Sequence, residues 1–144
     1  MPLKVDAITS VNGTSDAITI DANSQVTLGE NLTVSKMCSF NGCNTEKKLA
    51  MPANDIEADK ANYFTKTING NTTFTISGIP ASPAVYSFTL EVTHTSGTIT
   101  WFANVEWNGA TPPTLTAGKT HLFMFITDDG GTRWRGAALV DYNN

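Results

Sequence analysis

KTHLFMFITDDGGTRWRGAALV, Lys119 to Val140, is the stretch whose reading decides the fold. Two strand-like runs flank Asp128-Asp129-Gly130-Gly131, and Asp-Gly between such runs signals a hairpin because the tight turn needs positive φ. Simple pairing across that turn sets Thr127 opposite Thr132, Phe125 opposite Trp134 and Phe123 opposite Gly136. His121, Phe123, Phe125 and Trp134 then share one face.

The other face carries Leu122, Met124 and Ile126, with Arg133 opposite Ile126 and Arg135 opposite Met124. A half-buried strand alternates apolar with polar, so a strand that is apolar on both sides calls for a cover on both sides. One cover is the domain's own core. The second is expected from a sister chain, with Leu122, Met124, Ile126, Arg133 and Arg135 as the subunit interface. Arginine suits the rim of such a contact, since its stem lies over apolar surface while its head reaches carboxylates or water. A loop of the same chain is the competing cover.

Working outward, the 144 residues suit one ordinary domain with a short appendage. Hydrophobic residues make up 40% and charged residues 15%, which describes a globular chain, and the abundance of Thr, Val, Ile and Phe leans to β structure. A net charge of −4 offers no basic field to gather nucleic acid. No apolar core of a signal peptide follows Met1-Pro2-Leu3-Lys4, and no run reaches membrane-spanning length. The expectation is a product made in a cytoplasm, with neither a nucleic-acid nor a membrane partner.

Residues 1–37 read as an N-terminal β-segment. Ile18 and Ile20, Val26 and Leu28, and Leu32 and Val34 alternate with Thr or Asp between polar turns. So few large side chains cannot build a core alone, and the segment is expected to pack against the C-terminal domain or against copies of itself. Residues 38–62 read as a connector with at most one short helix, opened by a weak capping box at Asn54 and Glu57. Its carboxylates at Asp55, Glu57 and Asp59 read as a solvated face or as partners for Arg133 or Arg135 of a neighbour. From residue 63 to 144 strands recur at short intervals. Asn69-Gly70 suggests a hairpin, with Phe74 and Ile76 on one face. Tyr86, Phe88, Leu90 and Val92 alternate inward, and Ile99, Trp101, Val105 and Trp107 follow. The fold class expected is all-β, an antiparallel sandwich of jelly-roll type.

Three segments, NYFTKTINGNTTFTISGIP, YSFTLEVTHTSGTITW and VEWNGATPPTLTAGKTHLFMFITDDGGTRWRGAALVDY, resemble the C-terminal β-domain of phage tail-fibre and virion structural proteins, especially those of cyanophages. The resemblance spans roughly residues 59–144 and is most specific from Thr114 to Tyr142. SDAITIDANSQVTLGENLTV is similar in style to fibre shafts, on weaker grounds. The resemblance implies a non-enzymatic homotrimeric component of a virus particle, such as a tail fibre or spike, that contacts other virion proteins and a host surface. A trimeric capsid decoration protein is the alternative.

Few residues invite chemistry. His94 and His121 fall on inward positions, where a hydrogen-bonded core histidine is the simpler reading than a metal shared by copies, and no metal or cofactor is expected. Asp128 and Asp129 resemble an acid pair, but Asp is favoured in turns for its local backbone hydrogen bonds. Cys38 and Cys43 bracket Ser-Phe-Asn-Gly and can close a small disulfide loop; a reducing cytoplasm makes two free thiols an equal alternative. Trp107 beside Asn108 is the best-placed aromatic for stacking on a host glycan, which keeps a carbohydrate-binding module as a third reading.

Overall fold

The structure, a computed structural model, describes residues 7–9, 16–20, 26–28, 38 and 42–143. Among them the alternating β-branched and aromatic residues form thirteen strands and no helix. The chain divides into two compact units, Met1–Cys43 and Asn44–Asn144. In the first unit, β1 (Ala7–Thr9), β2 (Asp16–Ile20) and β3 (Val26–Leu28) form an antiparallel sheet in that order. Ile18 pairs with Leu28 and Ile20 with Val26, as the short apolar alternations suggest. The expected alternation at Leu32 and Val34 lies outside the described residues.

The second unit holds β4 (Lys48–Ala50), β5 (Asp55–Glu57), β6 (Tyr63–Asn69), β7 (Thr72–Thr73), β8 (Thr75–Ser77), β9 (Tyr86–Ser96), β10 (Ile99–Thr100), β11 (Val105–Trp107), β12 (Lys119–Thr127) and β13 (Trp134–Tyr142). Its main sheet has the order β11-β13-β12-β9-β6-β4, and two short sheets pair β5 with β8 and β7 with β10. The expectation of an antiparallel arrangement is corrected here. Strands β11, β13, β9, β6 and β4 run one way, and β12 alone opposes its neighbours β9 and β13. The sheet is mixed.

The correction has a local cause at Asn69-Gly70. Instead of folding back as a hairpin, the chain leaves β6 there and pairs β7 with β10, Thr72 N donating to Thr98 O at 2.8 Å and Phe74 N to Thr100 O at 2.9 Å. Gly97 makes this docking possible. Its φ is +91°, and a Cβ on it would sit 2.1 Å from the carbonyl carbon of Gly70. Asn71 Oδ1 then accepts from both the backbone N and the hydroxyl of Thr98, each at 3.1 Å. The segment from Asn71 to Val85 thus becomes a crossover that lets β6 and β9 lie parallel.

Residues 38–62, read as a connector, contribute two strands. The helical turn expected near Asn54–Lys60 is instead strand β5 followed by a turn at 58–60. Across the β5·β8 pair, Asp55 accepts the Thr75 hydroxyl at 2.6 Å and the Ser77 hydroxyl at 2.5 Å, while Ile56 is fully buried. A side chain shared so firmly across two strands holds the segment extended.

On the inner face of the main sheet, Phe64 and Ile68 of β6, Phe88, Leu90 and Val92 of β9, Phe123 and Phe125 of β12 and Trp134 of β13 form the core with Ile56, Phe74 and Phe102. Burial of each large apolar side chain contributes about 1.5–3 kcal/mol. The rings interlock: Phe88 stacks on Phe125 at 5.1 Å and meets Trp134 edge-on at 5.6 Å, centroid to centroid. Such offset and edge contacts suit the charge distribution of aromatic rings.

The hairpin of β12 and β13 forms, but two residues out of the expected register. Phe125 pairs with Gly136 rather than Trp134, Ile126 with Arg135 rather than Arg133, and Met124 with Ala137 rather than Arg135. The loop is longer because its side chains organise it. Thr127 Oγ1 donates to Asp129 Oδ1 at 2.9 Å and accepts Gly131 N–H at 3.0 Å, and Asp129 Oδ1 also accepts Arg133 N–H at 3.0 Å. Gly130 and Gly131 take φ of +71° and +84°. A shift by two leaves every side chain on its expected face.

Candidate functional site

The outer face of the main sheet is built by the residues between the core positions. On β12 these are Leu122, Met124 and Ile126, and on β13 they are Arg135, Ala137 and Leu139, paired as Ile126–Arg135, Met124–Ala137 and Leu122–Leu139. Beyond Leu139 the ladder bulges, Asp141 takes φ +68°, and Tyr142 comes opposite Thr120. The apolar side chains here are open: Met124 is 43% exposed, Ile126 39%, Leu139 49%, Val140 39% and Tyr142 45%. Leu122 is half-buried. The β12–β13 ladder therefore presents a group of apolar side chains that the described residues of the second unit leave open. Leu139, Val140 and Tyr142 were not singled out by sequence; the bulge at Asp141 breaks the alternation that would reveal them.

The expected rim arginines lie at the hairpin end of this strip. Arg133 Nη2 is 3.6 Å and Arg135 Nη1 3.4 Å from Asp128 Oδ1, and Arg135 Nη2 is 3.5 Å from Oδ2. Two guanidinium groups therefore share one carboxylate at long range. Arg133 Nε is buried with no hydrogen-bond partner. The other carboxylate of the turn, Asp129, serves the loop. The Arg133 backbone N–H and the Thr127 hydroxyl donate to it, and these bonds hold its carboxyl below the ordinary value of 3.8.

Beside the arginines a groove of about 740 Å³ opens over β11, β13, β12 and β9. Its walls include Glu46, Asn62, Ser87, Thr89 and Glu106, and Met124, Ile126, Arg135 and Ala137 contribute to its lining. Neither Glu46 nor Glu106 has an ion-pair partner among the described residues. Further across the face, the Tyr63 hydroxyl donates to Glu91 Oε2 at 2.6 Å, and that bond pushes the phenol up to about 12.

Trp107 and Asn108 take a different position. The indole packs over Gly136, where a Cβ would lie 3.1 Å from two ring carbons, and its centroid is 5.1 Å from that of Trp101 and 5.5 Å from that of Phe125. Trp107 remains half-buried and lines a shallow hollow with Asn108, Thr111, Pro112, Pro113 and Thr114. Its ring is anchored in the core layer more than it is displayed as a platform.

His94 and His121 do meet, their ring centroids 5.8 Å apart and both rings buried. Each uses Nε2 on a carbonyl, His94 on Gly97 O at 2.9 Å and His121 on Thr116 O at 3.2 Å. His121 Nδ1 accepts the Asp141 N–H at 3.2 Å, which ties the bulge to the core. Among the described residues no three His, Cys, Asp or Glu side chains gather into a metal-binding group. Cys38 and Cys43 are both exposed and unbonded in the structure. The carboxylates expected in the connector are occupied locally in part, Asp55 by Thr75 and Ser77 and Asp59 by Lys60 at 2.7 Å.

No protein-family model, no curated protein and no solved structure matches the chain.

Proposed function

We propose that the chain is a non-enzymatic structural subunit of a phage particle, working as a homotrimer in a tail fibre or spike. The observation that carries this reading is the uncovered apolar strip on β12 and β13, with Met124, Ile126, Leu139, Val140 and Tyr142 all open to solvent. Contiguous apolar surface of this kind marks a contact with another protein. The sheet's topology adds to the argument, because sheets rich in parallel pairs are ordinarily covered on both faces and the described residues of this unit build a core on one. Resemblance to phage fibre domains supplies the particle. Residues 1–37 attach or trimerise the subunit, and the loops near 78–83, 108–113 and 128–131 face outward in the assembly.

Native mass of the purified chain tests the trimer. A mass three times that of one chain supports it, and a monomer at tens of micromolar defeats it. Immunogold labelling of the particle then tests the place. A few copies at the tail agree with a fibre or spike, whereas a dense regular label over the head transfers the same trimer to capsid decoration. Binding on a glycan array that Trp107→Ala abolishes gives the subunit a receptor-reading role in host attachment.

A further inference from the structure

Resting on the reading that copies of the chain cover this face, we infer that the contact is closed by ion pairs between copies, Arg133 and Arg135 of one against Glu46 and Glu106 of the next. Among the described residues both halves of this set are incomplete. Two guanidinium groups divide one carboxylate, Asp128, at 3.4–3.6 Å, and Arg133 Nε has no hydrogen-bond partner although it is buried. Glu46 and Glu106 line the adjoining groove with no cation within ion-pair distance among the described residues.

The geometry on the sheet explains why these charges look outward. Glu106 and Arg135 are register neighbours on the parallel β11·β13 pair, yet the Arg135 guanidinium is turned to Asp128. Arg133 therefore lies at the hairpin end, Arg135 reaches from there into the groove, and Glu46 and Glu106 line that groove beside Met124 and Ile126 without an ion pair among the described residues. The hairpin end and the groove each carry both signs, Arg133 and Arg135 beside Asp128 and Asp129 at the first and Glu46 and Glu106 beside Arg135 at the second, and a turned copy of the same surface complements both. A partner of one sign only would satisfy some of these groups and oppose the rest. Pairs of this kind become stronger as the strip around them is dried, and they set the register of the two copies.

Two charge-reversed proteins test the inference. Arg133→Glu with Arg135→Glu makes an acidic protein, and Glu46→Arg with Glu106→Arg makes a basic one. Each alone is expected to associate at least about tenfold more weakly than the unmodified chain, while an equimolar mixture regains association, because each copy now meets its opposite. Native mass spectrometry reads both effects, and near-ultraviolet circular dichroism of the tryptophans verifies that each protein is folded. Arg135→Gln and Glu106→Gln, which keep size and lose charge, serve if a reversed protein does not fold, and each should weaken association. Unchanged association of the variants overturns the ion pairs and leaves the oligomer standing. Loss in each without recovery in the mixture also overturns them. An unmodified chain that stays monomeric removes the underlying reading, and the inference with it.

Discussion

The two faces of β12 differ in what meets them. On the inner face Phe123 and Phe125 are buried among Phe88, Trp101, Phe102 and Trp107. On the outer face Met124 and Ile126, their immediate neighbours in sequence, remain 43% and 39% exposed. Nine consecutive residues therefore hold one surface that the second unit encloses and one that its described residues leave open. Apolar composition alone does not distinguish them; what does is whether a second layer exists to pack on each.

That contrast can be attacked from the inside first. Phe125→Ala should lower the unfolding free energy by about 3–5 kcal/mol, read from the denaturant midpoint, because the interlocked rings around it cannot collapse into the space left. A loss below about 1 kcal/mol would mean that the inner face is loosely packed. Next, Gly97→Ala should cost about 1–3 kcal/mol in the same measurement, since a Cβ there meets the Gly70 backbone and the residue has positive φ. Its effect should reach Phe74 and Trp101 and so change the tryptophan fluorescence.

The outer face should respond in another way. Met124→Ser and Leu139→Ser are expected to move the stability of the isolated chain by no more than about 0.5 kcal/mol, as exposed positions do, while lowering its association in native mass measurements. A large loss of stability without any change in association would reverse the roles assigned to the two faces.

Titration sharpens the contrast at the margins. Burial raises the Tyr86 phenol to about 12, and the bond to Glu91 raises that of Tyr63 to about 12. A group whose pKa rises on folding contributes stability that is complete below its unfolded value and is lost as pH rises through the folded one. Unfolding midpoints should therefore hold up to pH 10 and decline toward pH 12, with Tyr63→Phe removing part of that decline. The smallest effect belongs to Asp129, whose carboxyl is lowered by the Arg133 and Thr127 hydrogen bonds. Its contribution is present above the ordinary value of 3.8 and is lost as pH falls through the lower folded one. Asp129→Asn should flatten that acid dependence.

Much of the second unit was legible because period-two alternation survives errors of pairing. Tyr86, Phe88, Leu90 and Val92 are buried as the alternation requires, and His121, Phe123, Phe125 and Trp134 share a face although their hairpin register differs by two residues. Strand direction was harder to read. Asn69-Gly70 carries a hairpin signal, and only the docking of Gly97 against Gly70, a contact between residues far apart in sequence, redirects the chain. The short β5 was hidden for a similar reason, since Asp55 depends on Thr75 and Ser77. On the outer face, Leu122, Met124 and Ile126 were visible by parity, whereas Glu46 and Glu106 join the groove only through the tertiary fold.

The crossover between β6 and β9 has a consequence for how the protein is made. Strand β9 lies between β6, which begins at Tyr63, and β12, which ends at Thr127, so its two neighbours are separated by some of the longest loops in the unit. Closing such loops is entropically costly before any contact rewards it, and topologies of this kind fold more slowly than strings of hairpins. The β12 side of β9 cannot be filled before the chain through Thr127 is available to pair with it. Until then that edge of β9 is unpaired, and unpaired strand edges are where incompletely folded chains associate.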